Sequence, residues 1–479
     1  MGLRLLYTLA TLTSTGSEGN VYQYQDQLLP PNVVQYRRVG MWAGTPATRS
    51  GGGGSSSISI DLKFRRPDVR RAGVIQVLVF NSDHLTSVGT PASGASAADG
   101  SGDRSFCCTP SLKAQGVKGC DRVGRIILLP DEVKGDGHVW VREVLFGSNQ
   151  SAGEVSARVP IHRSGVHYLL LASCELHTGQ VYFTGQTSWL NPYGYLPGEL
   201  YYFLPFFRIM AVAYLTLGIV WGVQCWRHWS QLLPLQMCIA GVIMLGLLET
   251  STWHLDYISF NGGGSRDLLP VVIAVSISTV RKTVSRLLVL AVCLGYGVVR
   301  PTLGSVAQKI LALGVVYTVF SAALDVASNI SQISELSVPV RLIFIAPVAL
   351  LDALFYWWTF SGLTRTLAQL STRRQSAKLL LYQRFSYVLL TSIAISGLWV
   401  CWQMLAIVAN DLDERWASLW IFDAFWHVLY FGILIAICWL WSPNKNNLQY
   451  AYMDELGQCE DEEDDGEEIE GASTSSSIS

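Results

Sequence analysis

From residue 203 onwards the chain carries seven apolar stretches, at about 203–226, 233–255, 268–298, 307–327, 338–360, 384–407 and 419–441. This run constrains the fold more than any other feature. A hydrocarbon layer of roughly 30 Å needs about twenty apolar residues per helix, and each stretch supplies them. Lipid offers the backbone no hydrogen-bond partners, so segments of this length are expected as helices. Short connections make successive spans antiparallel neighbours in one bundle. Half of the 479 residues are hydrophobic and only 15% are charged, which excludes an ordinary soluble protein.

The third stretch is the unusual one. Between Pro270 and Pro301 a helix would be about 45 Å long, enough to cross a bilayer with a margin. Near its middle stand Arg281, Lys282 and Arg286. Each costs about 2.5–3.5 kcal/mol in lipid and therefore needs a partner or water. The sequence offers acids at Glu249 and Asp256 on the second span, Asp325 on the fourth, Asp352 on the fifth and Asp423 on the seventh, with His427 beside the last. Glu249 and Asp256 are seven residues apart and share one helix face. Two readings stay open: a buried ion-pair network that only fixes helix packing, and a polar cavity inside the bundle.

Basic residues orient the chain. Arg227, Arg300, Lys309, Arg365, Arg373, Arg374, Lys378 and Arg384 fall on one side, against Arg266, Arg341 and Arg415 on the other. The richer side is expected to be cytosolic, which places the N-terminal half in the lumen. Nine acids between Glu460 and Glu470 leave the remainder with 34 basic against 27 acidic residues. The tail, 442–479, is thus expected to be acidic, disordered and cytosolic.

The N-terminal half has a different pattern. Residues 1–20 read as a weak signal peptide. Residues 21–190 read as an antiparallel β-sandwich, with strands expected at 75–80, 125–129, 138–146, 155–162, 166–173 and 180–189. Residues 51–57 and 87–103 are low-complexity inserts, expected to be mobile loops. Cys107, Cys108, Cys120 and Cys174 are disulfide candidates. Three connectivities are open, and the adjacent pair is expected to take separate partners because a vicinal bridge is strained. A zinc site is the rival, but the spacing is unusual for one, so no metal is expected. Asn149 and Asn329 begin glycosylation sequons.

The junction, 191–202, and the start of the bundle read NPYGYLPGELYYFLPFF. Later come LGYGVVRPTLG, LLYQRFSYVLL, FDAFW and LWSPNKNNLQYAY before the acidic run, while FCCTPSL and GVHYLLLASC mark the N-terminal half. Together these resemble the lung seven-transmembrane receptor family, in its transmembrane protein 87 branch. The resemblance implies a multi-domain membrane protein: a luminal GOLD-like β-sandwich followed by an all-α seven-helix bundle, 203–441. It also implies a Golgi location and work in trafficking between endosomes and the Golgi, or else a cation conductance that sets luminal pH. Two departures stand out. Phe422 precedes Asp423 where relatives carry two acids, and the loop 409–416 lacks the cysteine that tethers some relatives' β-domain. NPYGY lies before the first span and is not the NPxxY of rhodopsin-like receptors, so receptor-like signalling is the weakest alternative.

For function, the polar residues could hold a lipid head group or a cargo's acyl chain in a bundle cavity, or line a path for cations. The expected partners are membrane lipids, luminal cargo or receptor proteins through the β-domain, and sorting machinery through the tail. No nucleic-acid partner and no cofactor are expected. No nucleophile and base cluster together, so no enzyme is expected.

Overall fold

A computed structural model describes residues 20–44, 56–67, 72–91, 104–129, 139–147, 150–175, 179–266, 268–296, 304–329, 338–373, 376–408 and 415–443. The expected signal peptide, Asn149 and the tail from residue 444 lie outside the described residues, as do most of the two low-complexity inserts.

The N-terminal half is built from ten strands: β1 (Val21–Leu29), β2 (Val33–Met41), β3 (Ser57–Arg65), β4 (Gly73–Asn81), β5 (Thr90–Pro91), β6 (Arg104–Ser105), β7 (Trp140–Phe146), β8 (Ala152–Pro160), β9 (Gly165–Ser173) and β10 (Val181–Leu190). Two four-stranded antiparallel sheets, ordered β1-β10-β3-β8 and β2-β9-β4-β7, face each other, and β5 and β6 form a small ribbon. Alternation makes the core. On β3 the side chains of Ile58, Ile60, Leu62 and Phe64 are buried while Asp61, Lys63 and Arg65 point out. They meet Ile75, Val77 and Val79 of β4, Leu169 and Leu171 of β9, and the fully buried Trp189 of β10.

The expected strand at 125–129 is not part of either sheet. It forms only isolated bridges, Ile126 with Cys107 and Leu128 with Val88. Its backbone is committed to a side module instead: the Ile126 amide donates to Gln76 Oε1 at 2.7 Å, and the Ile127 amide to the Phe106 carbonyl at 2.9 Å. Two disulfides staple that module, Cys107–Cys174 onto the end of β9 and Cys108–Cys120 across a one-turn helix at Pro110–Ala114. The adjacent cysteines therefore do take separate partners, and all four thiols are consumed without a zinc site.

Among the described residues seven long helices follow: α1 (Phe203–Arg227), α2 (Pro234–Gly263), α3 (Leu268–Cys293), α4 (Ser305–Asn329), α5 (Val338–Thr372), α6 (Ser376–Val408) and α7 (Trp420–Leu440). Five regions, Gly198–Arg227, Pro234–Gly263, Val306–Asp325, Lys378–Ala406 and Trp416–Leu440, are long and apolar enough to cross a membrane by length and composition. The other two helices are α3, which carries the three cations, and α5. Asn329 is the last residue of α4, and its sequon runs on outside the described residues. α3 ends at Cys293, short of the expected 298, because Gly295 turns left-handed at φ 87. The Tyr296 amide then reaches back to Ala291 at 3.0 Å and Gly295 to Val292 at 2.9 Å, a Schellman closure.

Backbone hydrogen bonds weld the two halves. The amides of Asn20 and Val21 donate to the Gly264 carbonyl just past α2, both at 2.9 Å. Asn261 of α2 receives the Leu196 amide at 3.1 Å and donates to the Tyr193 carbonyl at 2.8 Å. Asn191 donates to the Leu196 carbonyl at 2.9 Å and accepts from the Trp42 amide at 2.9 Å. The NPYGYLP stretch is thus a clasp read by two asparagines. A second contact joins the approach to α7 to the sandwich. Trp416, just before α7, lies against Gly40 and Gly198, where an added Cβ would come within 2.6–2.7 Å of its ring, and its ring centroid is 5.0 Å from that of Trp42. Glycine is required at both positions because the indole occupies the space.

His167 on β9 generates a testable pH dependence. It is 6% exposed, with Nδ1 3.1 Å from the Gly165 carbonyl oxygen. Burial pushes its pKa down to about 4, against smaller upward pulls from that carbonyl and from Asp83. The unfolded chain, with an ordinary histidine pKa of about 6.5, therefore binds a proton that the folded sandwich refuses. This contribution is complete above about pH 6.5 and is lost as pH falls towards 4. Unfolding of the sandwich, followed by hydrogen exchange at β9 in the full chain, is expected to become easier across that window, and His167→Gln is expected to flatten the dependence.

Candidate functional site: a cation-walled cavity in the bundle

The candidate site is organised by α3, which packs against α2, α4 and α5. Its sequence is apolar at both ends, so the helix is fixed in depth, and thirteen residues separate Leu268 from Arg281. At 1.5 Å per residue the cations lie roughly 20 Å from the sandwich end of the helix. Lys282 and Arg286 lie one turn apart on the same side of α3, with Arg281 about 100° away from Lys282, and each of the three meets an acid from a different neighbour.

Arg281 Nε lies against Glu249 Oε2 of α2, with the two side chains 6% and 0% exposed. Its Nη1 also reaches the Tyr214 hydroxyl of α1 at 3.4 Å. Lys282 Nζ is 2.9 Å from Asp325 Oδ2 of α4, an oxygen that also accepts from Thr279 Oγ1 at 3.0 Å. Arg286 Nη2 is 3.0 Å from Asp352 Oδ1 of α5, and its guanidinium lies 4.5 Å from the Tyr317 ring centroid. A fourth pair sits nearer the sandwich: Arg266 binds Asp256 through Nε at 3.1 Å and Nη2 at 2.7 Å. Its guanidinium also stands 5.7 Å from the rings of Trp253 and Tyr257.

The sequence thus supplied the right ions but not all of the partners. Glu249 and Asp256 do share α2, yet they serve separate cations. Arg266 entered the sequence reading only as an orientation signal, and Tyr214, Thr279 and Tyr317 were not singled out. A helical-wheel reading flags Thr279, which lies three residues before Lys282. Tyr214 and Tyr317 come from other helices, and nothing local marks them. Asp423 lies in the first turn of α7 and His427 one turn further, its ring 5.3 Å from Phe207 and 6.1 Å from Phe206. Both sit beside the aromatic cluster under the sandwich, His427 against Phe206 and Phe207 and Asp423 near Tyr257.

The cations are paired with acids and also line a cavity, which is mostly apolar rather than polar. The cavity has a volume of about 620 Å³. Its lining includes Arg281, Lys282 and Arg286 on α3, Phe355 and Tyr356 on α5, Ser392, Ser396 and Cys401 on α6, and Trp426 and Tyr430 on α7. Among the described residues that line it there is no carboxylate. Glu249, Asp325 and Asp352 pair with the cations without lining the cavity themselves. The result is a mostly apolar chamber with one basic wall and a few hydroxyls. At the end remote from the sandwich it is backed by a tightly tied floor: Tyr382 Oη donates to the Val292 carbonyl at 3.1 Å, Thr366 to Cys293 at 2.8 Å, and Gln236 to Trp441 at 3.1 Å.

The burial of the pairs ranks their importance. Breaking a buried pair by removing one partner strands the other charge and costs about 3–5 kcal/mol. Glu249→Gln is expected to lower bundle stability by that order in a detergent unfolding titration. Asp325→Asn, whose pair is 15% and 25% exposed, is expected to cost distinctly less. Glu249→Leu with Arg281→Met is expected to recover much of the loss.

Comparison with known proteins agrees with this architecture. A family model described as GOST, seven transmembrane domain, matches residues 202–448. Mouse transmembrane protein 87B is 31% identical over 318 residues, 66% of this chain and 56% of that protein. Human transmembrane protein 87A is 33% identical over 286 residues, 60% of this chain and 50% of that protein. Membrane protein PTM1 of Saccharomyces cerevisiae (strain YJM789) is 26% identical over 323 residues, 65% of this chain and 61% of that protein. The chain spans about half the length of the transmembrane protein 87 relatives it matches. It is a multi-pass membrane protein, and it belongs to the lung seven-transmembrane receptor (GOST) family, in the transmembrane protein 87 branch.

Proposed function

We propose that this protein works in Golgi and secretory-pathway homeostasis by holding a membrane lipid, or the acyl chain of a cargo, in the bundle cavity. In this reading the β-domain faces the lumen and recruits partner proteins there, while the acidic tail faces the cytosol and meets sorting machinery. One observation carries the binding reading: the cavity joins a basic wall to apolar walls and has no carboxylate among its described lining residues. That is the chemistry of an amphiphile with an anionic head. A phosphate set against Arg281, Lys282 and Arg286 gains charge-assisted hydrogen bonds in a low dielectric. Its chains would cover the aromatic and aliphatic side chains of α5, α6 and α7. The disulfides and the excess of basic residues on the opposite side support a luminal β-domain. Through the clasp at Asn191 and Asn261 and the indole of Trp416, the sandwich is attached to α2 and α7, so occupancy of the cavity and partner binding have a physical route of communication.

The second reading is a cation conductance, and the stack of three charges on α3 favours it. Each charge moved through the membrane field would feel about 2.3 kcal/mol per 100 mV. A basic lining repels cations, so this reading requires the pairs to open and the acids to turn inward.

The two readings separate in one preparation. Full-length protein purified in mild detergent is expected to retain about one phospholipid per chain after exhaustive washing, measured by native mass spectrometry. Ser396→Trp, which fills the cavity from α6, is expected to release it. Loss of lipid from both proteins, together with a voltage-driven cation current that Glu249→Gln abolishes, would favour conduction instead.

A further inference from the structure

One side of the sandwich is closed, and the other holds a groove that Gln35 Nε2 bridges by donating to the Leu28 carbonyl at 3.0 Å and that Arg37 borders from above the Tyr22 ring. β7 and β8, the outer strands of the two sheets on one side, pack together. On the opposite side the outer strands β1 and β2 part around a groove of about 430 Å³. Its floor is Leu169 and Leu171 of β9 with Tyr24 of β1, and its rim is residues 34–37 of β2 with Gln27 and Leu28. Leu28, Val33 and Tyr36 are among the few large apolar side chains that the described sandwich exposes, at 38%, 40% and 61%, and all three stand on these two strands.

The two edges are not equivalent. β1 is broken by a register shift between Tyr24 and Gln27, where Asp26 has φ 44, and such a bulge discourages further pairing. β2 pairs with β9 in unbroken register from Val33 to Met41 and has no strand on its outer side among the described residues. Its last residues, Val39 to Met41, are buried near the junction and Trp416, so residues 33–38 are the accessible part. In an antiparallel edge, alternate amides and carbonyls point away from the sheet and remain available for another strand. The charge at the mouth is positive. Arg37 lines the groove, and the nearby acid Asp26 is engaged by Arg65 at 3.4 Å.

We propose that residues 33–38 of β2, with the groove beside them, take an extended acidic polypeptide segment as an added strand. Its backbone bonds to the free edge, an apolar side chain seats over Leu169 and Leu171, and a carboxylate meets Arg37. The inference rests on the reading of the sandwich as the partner-recruiting half, and it names the surface and the chemistry of the partner.

The test uses the full chain in lipid nanodiscs, panned against a phage-displayed library of random eight-residue peptides. The selected peptides are then titrated by fluorescence anisotropy, with hydrogen exchange on the bound complex. The expected result is enrichment of sequences that alternate apolar and acidic residues, slowed exchange at residues 33–38, and at least tenfold weaker binding to Arg37→Glu. Should Arg37→Glu fail to keep the exchange pattern of the sandwich, Tyr36→Ala, on the exposed rim, is expected to show the same loss. Peptides that bind both variants as well as the native chain, or protect another segment, would overturn this site while leaving partner recruitment standing. An absence of any enriched peptide would overturn both. Dimerisation of the native chain without peptide, lost in Arg37→Glu, would assign the edge to a second copy and overturn the peptide proposal.

Discussion

Charge in the middle of a membrane has to be answered within a few ångströms, and in this protein that requirement falls on α3. Arg281, Lys282 and Arg286 recruit Glu249 from α2, Asp325 from α4 and Asp352 from α5. Helices in lipid lack the hydrophobic drive that gathers them in water, so polar contacts carry more of the task of choosing neighbours. Three acids on three helices make α3 the post around which one side of the bundle assembles. The three pairs together constrain the order and rotation of the surrounding helices. The same three cations also line the cavity.

That cavity follows from the way the pairs are arranged. The charge of the three acids balances α3 while none of them lines the chamber, so the charged groups of its described lining are the cations. Because α6 and α7 contribute hydroxyls and aromatic rings and no acids to the lining, nothing there competes with an incoming anion. The sandwich is not a separate passenger. Asn191 and Asn261 lock the junction to α2, and Trp416 seats the approach to α7 on Gly40 and Gly198. The indole is packed where only glycine backbones leave room.

Much of this was legible in the sequence, for identifiable reasons. Seven apolar stretches of spanning length read directly as helices, and the cations on the third announced that acids had to lie near. Which acid served which cation was not legible, because that depends on helix rotation, and the distant Tyr214 and Tyr317 carried no local mark. Helix ends were misjudged where hydropathy stopped before the helix did: α2 runs on to Gly263 and α5 to Thr372 beyond their apolar cores. In the sandwich, β9 and β10 were read from their apolar and β-branched runs. β1 and β2 were not, since stretches such as YQYQDQ and QYRR bury few side chains and resemble loop composition. β3 alternates cleanly from Ile58 to Phe64, but the glycine-rich insert before it obscured the pattern. Residues 125–129 had strand composition yet became a side module, because the disulfides at Cys107 and Cys108 hold their neighbours outside the two sheets.

The account stands or falls on whether an anionic head group meets the basic wall of the cavity. The most direct measurement is phosphorus–nitrogen distance by solid-state magnetic resonance, on protein with isotopically labelled arginine and lysine side chains in native-like bilayers. The account predicts a tightly held phosphate within about 4 Å of the labelled nitrogens of Arg281, Lys282 or Arg286, the range of a charge-assisted contact. That signal should survive washing and vanish when Ser396→Trp fills the chamber. Side-chain nitrogens at those positions with no phosphorus coupling, in protein that retains its ion pairs, would contradict it.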